Sequence, residues 1–295
     1  MSRSRCISAP QLGLNMHPKW LRGAAPEDFL LPLCEIGLRV LEFHPDPRSP
    51  EWPEVDALIE ACRAMGFRVS FHAPHKGPYQ VTGFLGPERK RIERLFEPII
   101  DYAAVVAGED GPTPLVVHGA KGAGDREALW RNTEAFLRWI QDRAPKLRPA
   151  LELRIREPTV TKVGDSKRDL LAFVSESGVS GVGICWDIGH DARNGTAAAP
   201  AGFVEQVTHA HVHDLSPEGE DHYPLMFGNA PYRDALKHLR EVQYEGALIL
   251  EINGHFVGRV ARKEGIPATD VLRRSFEEMV EAFARYRSNN HKIRS

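Results

Sequence analysis

The feature that most limits what this chain can become is an alternation repeated eight times. A short apolar or β-branched run is followed by a longer run whose apolar residues recur every three or four positions. Strand-like runs separated by helix-length amphipathic segments cannot pair as hairpins; they build a parallel sheet through helical crossovers. The spacing predicts strands over 7–14, 39–43, 68–72, 115–118, 150–153, 182–186, 208–213 and 248–251. Between them, segments such as PEVDALIEACRAMG, PERKRIERLFEPIIDYAAVVAG and DREALWRNTEAFLRWIQDRA carry helical periodicity, as does a short piece around Phe203 and a last helix in TDVLRRSFEEMVEAFARYR. Gly37, Gly66 and Gly178 close three of these segments, where a left-handed residue costs glycine least. Eight such units close on themselves, and the expected architecture is an α/β fold, a (β/α)₈ barrel forming one domain over residues 1–295. The stretch TAAAPAG is short enough to be a loop, and the tail SNNHKIRS is expected to fray.

Composition narrows the setting. Hydrophobic residues make up 42% and charged residues 26%, enough for a large core without disulfides. Cys6, Cys34, Cys62 and Cys185 are widely spaced and form no CxxC pair, which reads as reduced core thiols in a cytoplasmic protein. The N-terminal stretch lacks the apolar region of a secretion signal, and no run approaches the ~18 apolar residues of a membrane span. A net charge of −2 supplies no global field for a polyanion.

The histidines and carboxylates are informative through their address, because they recur where apolar strands end. The strand ends read VSFHAPH, LVVHGAKG, ALELR, GICWDIGH, THAHVHD and LILEING. Barrel enzymes assemble their sites from that face, so His72, His118, Glu152, Asp187, His190, His211 and Glu251 should meet at one mouth. Neutral imidazoles mixed with carboxylates suit a borderline divalent cation, Zn²⁺ or Mn²⁺, and so many ionisable groups at the end of an apolar barrel are costly unless paired or metal-bound. His209 and His213 share a strand face with His211. The loop SPEGEDHYPLMFGN adds a further ligand-like group, Glu220, Asp221 and His222. Among the basic residues of the mouth loops, Arg154 and Lys121, together with His213, are the candidates for substrate binding, and an inward cation there would suit an anion such as phosphate.

On these residues the chain resembles the xylose isomerase-like TIM-barrel superfamily, which holds sugar isomerases and epimerases and also endonuclease IV. The resemblance runs from VLEF to LILEI. It implies a metal core of Glu152, Asp187, His211 and Glu251, with His190 either contacting substrate or serving as a further ligand. Resemblance to endonuclease IV implies more ligands: His72 in HAPHKG, His118 in HGAKG, and Glu220 with His222 in place of an Asp-x-His pair. The chain departs from that pattern in MFGN, LRIR and HGA.

Two enzymatic functions follow, beside a third reading as a non-catalytic metal-binding scaffold or subunit of a larger complex. The first is a divalent-metal-dependent isomerase or epimerase of a small sugar, polyol or sugar phosphate acting through an enediolate, with Glu152 and Glu251 moving the proton and His190 orienting a hydroxyl. The second is an endonuclease IV-like multinuclear zinc phosphoester hydrolase with two or three ions, for which DNA is a partner and Tyr79 a candidate wedge. One to three ions are thus expected, with a small-molecule substrate under the first function.

Overall fold

A computed structural model describes residues 10–21, 23–107, 112–196 and 198–284. Cys6, the tail and the first residues of the expected N-terminal strand lie outside the described residues.

Eight parallel strands close a barrel: β1 (Gln11–Asn15), β2 (Leu38–Phe43), β3 (Arg68–His72), β4 (Thr113–Val117), β6 (Leu147–Glu152), β8 (Gly183–Asp187), β9 (Val207–Val212) and β10 (Ala247–Leu250), with β1 against β10 completing the circle. Two further short strands, β5 (Lys121–Gly122) and β7 (Thr161–Lys162), form a separate antiparallel pair that the sequence did not announce. The periodic segments fold as α1 (Pro26–Glu35), α2 (Trp52–Ala64), α3 (Arg89–Val106), α4 (Arg126–Arg143), α5 (Lys167–Glu176) and α7 (Tyr232–Glu241). Their spacing sets the buried face: α7 buries Tyr232, Ala235, Leu236 and Leu239, one stripe of a 3.6-residue period. Gly66 and Gly178 take φ of 84° and 62° just past α2 and α5, the left-handed turn expected of them.

Three helices differ from expectation. A short α6 (Ile188–Arg193) starts directly at the end of β8, capped by the Asp187 side chain on the His190 N–H, while the piece near Phe203 is only a 3₁₀ turn, Val204–Gln206. The segment after β10 holds two helices, α8 (Gly254–Glu264) and α9 (Ala268–Ala284), not one. Glycines at 254 and 258 hide α8 from a propensity reading, but the Asn253 side chain accepts the His255 N–H and starts it.

Along each strand alternate residues point outward into the main core and inward into the barrel. The inward positions at the lower levels are apolar and form two small clusters, Val40–Ala247–Ile249 and Val116–Ala150–Cys185. Gly13 belongs to the same interior: a Cβ there would lie 2.3 Å from Ile249 Cδ1 and 3.0 Å from the Val40 carbonyl oxygen, so a side chain would displace Ile249 and crowd β2. Further up, the inward series turns polar, through Glu42, Ser70, His72, Glu152, Asp187, His209 and His211, all buried. Cys34, Cys62 and Cys185 are free thiols, and burial pushes Cys62 up to about 12. Among the described residues no helix is long and apolar enough to cross a membrane.

Candidate metal centre

The polar layer at the C-terminal ends of the strands is where the expected residues gather. Glu152 ends β6, Asp187 ends β8, His211 lies in β9 directly beside Asp187 in register, and Glu251 follows β10. His211 Nδ1 stands 2.9 Å from Glu251 Oε2 and 3.9 Å from Asp187 Oδ2. These three atoms are buried without a hydrogen-bond partner, and they lie within 4.8 Å of one another. Two carboxylate oxygens and an imidazole nitrogen left unsatisfied around one point are costly as they stand, and they are the donor set a divalent cation would satisfy. Glu152, His72 and His211 form an overlapping group. The residues present therefore fit the metal that their chemistry implies.

Two flanking groups extend the centre. On one side, His72 Nδ1 donates to the Ala73 carbonyl at 2.9 Å, which leaves Nε2 facing Glu152 Oε2 at 2.9 Å. His118 Nε2 meets the same oxygen at 2.7 Å, and His75 stacks on His118 with ring centroids 3.8 Å apart. His72, His75 and His118 together offer three nitrogens to one point. On the other side, Asp187, His190, His213 and His222 make a second such group. His213 Nδ1 accepts the His222 backbone N–H, so its proton sits on Nε2, 3.0 Å from Asp187 Oδ1. Gly189 makes room for that ring: a Cβ there would come within 2.0 Å of His213 Cε1.

Electrostatics follow from burial and pairing. Burial alone would raise Glu152 and Glu251, but the imidazoles of His118, His190 and His72 around the first, and of His211 and His222 around the second, hold both well below the usual carboxylate range. Burial, reinforced by neighbouring imidazoles, pulls His75 down to about 2 and His118 to about 3, so both are neutral with free lone pairs at neutral pH. Burial also lowers His190, yet Asp187 and Glu152 outweigh it and raise the ring to about 9. A cation would take over the role of that proton.

Placement differs from the sequence expectation at Glu220. Its side chain is half-exposed and paired with Arg259 at 2.9 Å, outside the cluster. The cause is backbone: His222 adopts φ of 58°, so residues 220 and 222 do not share a face, and it is Asp221 that stands 3.3 Å from His222 and 4.0 Å from His190. Tyr79 is no free wedge; its hydroxyl donates to Asp46 at 2.7 Å and its ring packs edge-on against Phe96. Arg154 is buried beside the centre, donating to the Gly119 carbonyl, and Lys121 lies on β5 facing Lys162. The sequence reading overlooked Glu42, which is wholly buried under His211, is hydrogen-bonded to His209 Nε2 at 2.7 Å and faces His211 Nε2 at 3.1 Å. Its signal was available: Glu42 stands two residues after Val40, on the inward phase of β2. A cavity of about 740 Å³ opens at the opposite end of the barrel, lined by residues such as Arg68, Arg148 and Tyr244, and shares no residue with this cluster.

Comparison with known proteins identifies the family. The family profile described as xylose isomerase-like TIM barrel matches residues 33–282. An uncharacterised protein of Methanocaldococcus jannaschii is 31% identical over 96 residues, a match spanning 30% of this chain and only 32% of that protein. Among known structures, a D-tagatose 3-epimerase-like protein superposes with a TM-score of 0.62 at 21% identity, covering 92% of this chain and 98% of its own. A D-allulose 3-epimerase from Methylomonas sp. reaches 0.69 at 14% identity, covering 93% and 98%.

Proposed function

Since the chain belongs to the xylose isomerase-like TIM-barrel family, we propose that it is a divalent-metal-dependent isomerase or epimerase of a small sugar, polyol or sugar phosphate. The observation that carries this reading is the convergence of the unsatisfied atoms of Asp187, His211 and Glu251 beside Glu152. Those four residues would hold Zn²⁺ or Mn²⁺, and the cation would supply Lewis acidity that makes a carbon-bound proton next to a carbonyl easier to remove. Glu152 and Glu251 do the proton work. Both are ionised at neutral pH, and they approach the centre from different strands, β6 and the end of β10, so a substrate between them meets a carboxylate on either side. One accepts the carbon-bound proton and can return that same proton to the adjacent carbon; for delivery to the opposite face the other carboxylate first takes a proton from solvent, and the first releases its own to solvent. His190, whose Nδ1 is held by the Leu153 carbonyl at 2.9 Å, keeps Nε2 toward the mouth and orients a substrate hydroxyl. The epimerase names of the structural neighbours support the substrate class.

The test is hydrogen exchange. Metal-loaded protein is incubated in D₂O with ketoses, among them D-fructose, D-tagatose and D-allulose, and with their phosphates. Deuterium appearing at the carbon beside the carbonyl, and lost on chelation, supports the proposal; no exchange on any of them with metal bound rejects it.

A second reading has its own observation. The His72–His75–His118 group and the Asp187–His190–His213–His222 group provide two donor sets beyond the one an isomerase requires, which favours an endonuclease IV-like phosphoester hydrolase. Elemental analysis separates the two: two or three ions per chain, with one lost in His118→Ala, favours hydrolysis, and one retained ion favours proton transfer.

A further inference from the structure

Beside the centre, the β5–β7 pair and Arg154 bring together three cations, two of which form no ion pair among the described residues. Arg154 is only 6% exposed, yet its guanidinium makes one hydrogen bond, Nη1 to the Gly119 carbonyl at 3.0 Å, and no ion pair among the described residues. A buried guanidinium has five donors to place, and this one leaves most of them open. Lys121, half-buried on β5, has no ion pair among the described residues either. It stands opposite Lys162 in the strand register. Lys162 is buried and neutralised by Glu157, which is exposed, at 2.5 Å. Of the three cations only Lys162 is ion-paired among the described residues; Glu152, Glu157 and Asp165 act on Arg154 through space without contacting it. Burial, Arg154 and Lys162 lower the Lys121 ammonium, as expected of cations facing one another across a space.

The backbone beneath this group is fixed. Thr82 Oγ1 bonds both the carbonyl and the N–H of Lys121, at 2.6 and 3.1 Å. The Arg154 N–H is held by the Gly164 carbonyl at 2.8 Å, and its own carbonyl accepts from Asn194 at 2.9 Å. Gly119 has no room for a side chain, since a Cβ would meet Val163 at 2.8 Å. The group is therefore built before any ligand arrives, and it adjoins the centre. The carbonyl that Arg154 grips follows His118, which contacts Glu152, and Arg154 itself lies two residues beyond Glu152.

We propose that Arg154 and Lys121, backed by Lys162, form a subsite for a phosphoryl group carried by the substrate. Arg154 and Lys121, neither of them held in an ion pair, can each take an oxygen of a phosphoryl dianion, and the planar guanidinium suits two oxygens of one phosphoryl group. This rests on the proton-transfer reading in placing an organic substrate at the centre, and it names that substrate as a phosphorylated one.

The test begins with inorganic phosphate titrated calorimetrically into metal-loaded protein at low ionic strength. Wild type should bind it, and Arg154→Gln should weaken binding by roughly tenfold or more, with metal content unchanged. Lys121→Gln, at a half-exposed site that the fold tolerates, should weaken it severalfold. No phosphate binding by wild type, or equal binding by both variants, overturns the subsite. Hydrogen exchange then separates this inference from the function it rests on. Exchange on D-fructose as fast as on D-fructose 6-phosphate, and indifferent to Arg154→Gln, rejects the subsite alone. Exchange on neither compound, with phosphate binding still dependent on Arg154, rejects the isomerase while supporting the subsite.

Discussion

Glu42→Gln tests whether the centre depends on what lies beneath it. The Glu42 carboxylate is inaccessible to solvent and is surrounded by donors, His209 Nε2 at 2.7 Å, Asn15 Nδ2 at 3.3 Å and Ser70 Oγ at 3.4 Å, with His211 Nε2 facing it at 3.1 Å. Burial alone would raise it, but the His211 and His209 imidazoles hold it well below the usual carboxylate range. An amide of the same shape keeps one acceptor and turns the other into a donor that faces an imidazole N–H. Breaking a buried pair on one side costs about 3–5 kcal/mol, and because glutamine keeps an acceptor the loss should sit near the lower end, about 3 kcal/mol. The second consequence is local. The Glu42 carboxylate, 3.1 Å from His211 Nε2, favours a proton on that nitrogen and so leaves Nδ1 for the centre. Removing such a partner typically lowers metal affinity by about 10–100-fold. Urea unfolding of chelator-treated protein measures the first effect, and competition against a chelator measures the second. If stability falls by about 3 kcal/mol while metal affinity stays within about threefold of wild type, well short of that loss, then Glu42 only fills the barrel and its hold on His211 does not matter.

Further predictions follow from the same geometry. Glu152→Gln and Glu251→Gln should each reduce hydrogen exchange by about 10²–10⁴-fold, measured by deuterium incorporation; a variant retaining wild-type exchange has been given the wrong role. Gly189→Ala should push the His213 ring from Asp187 and cut exchange by more than about tenfold, the scale of losses from disturbing a ligand's partner, while the fold stays intact by circular dichroism; unchanged activity would show that His213 can move without consequence. For the metal-free protein, stability against pH should peak near the ordinary histidine range. His190 at about 9 binds a proton in the folded state that the unfolded chain has released, so its contribution is full below about pH 6.5 and lost as pH rises toward 9. His75 and His118, at about 2 and 3, stay neutral when folded and take up protons on unfolding, so stability also falls below about pH 6.5. A thermal melting temperature still rising from pH 7 to 9 would contradict the His190 assignment.

The barrel was legible because short apolar runs alternate with amphipathic segments eight times, and the polar residues at the strand ends, His72, His118, Glu152, Asp187, His190, His211 and Glu251, lie together at one end. What stayed hidden depends on backbone that no local pattern encodes. The left-handed His222 turns Glu220 outward to Arg259 and brings Asp221 in. The β5–β7 pair is two residues long on each side and rests on Thr82, nearly forty positions away, so neither Lys121 nor Lys162 reads as a strand residue. Helix α8 begins on glycine and depends on one asparagine cap. Glu42 was the avoidable omission, since the period-two rule that placed His209 and His211 inside also places it there.

The two flanking groups are not equivalent as ligand sites, and the difference bears on chemistry. His75 and His118 are neutral because burial denies them a proton, so their lone pairs are available at neutral pH at no protonic cost. His190 is protonated because Asp187 and Glu152 stabilise its charge, and a cation binding there must displace that proton. A carboxylate shared between protonated and neutral imidazoles, as Glu152 is between His190 and His118, is held ionised either way. That is the protonation state which the proposed proton-accepting role of Glu152 requires.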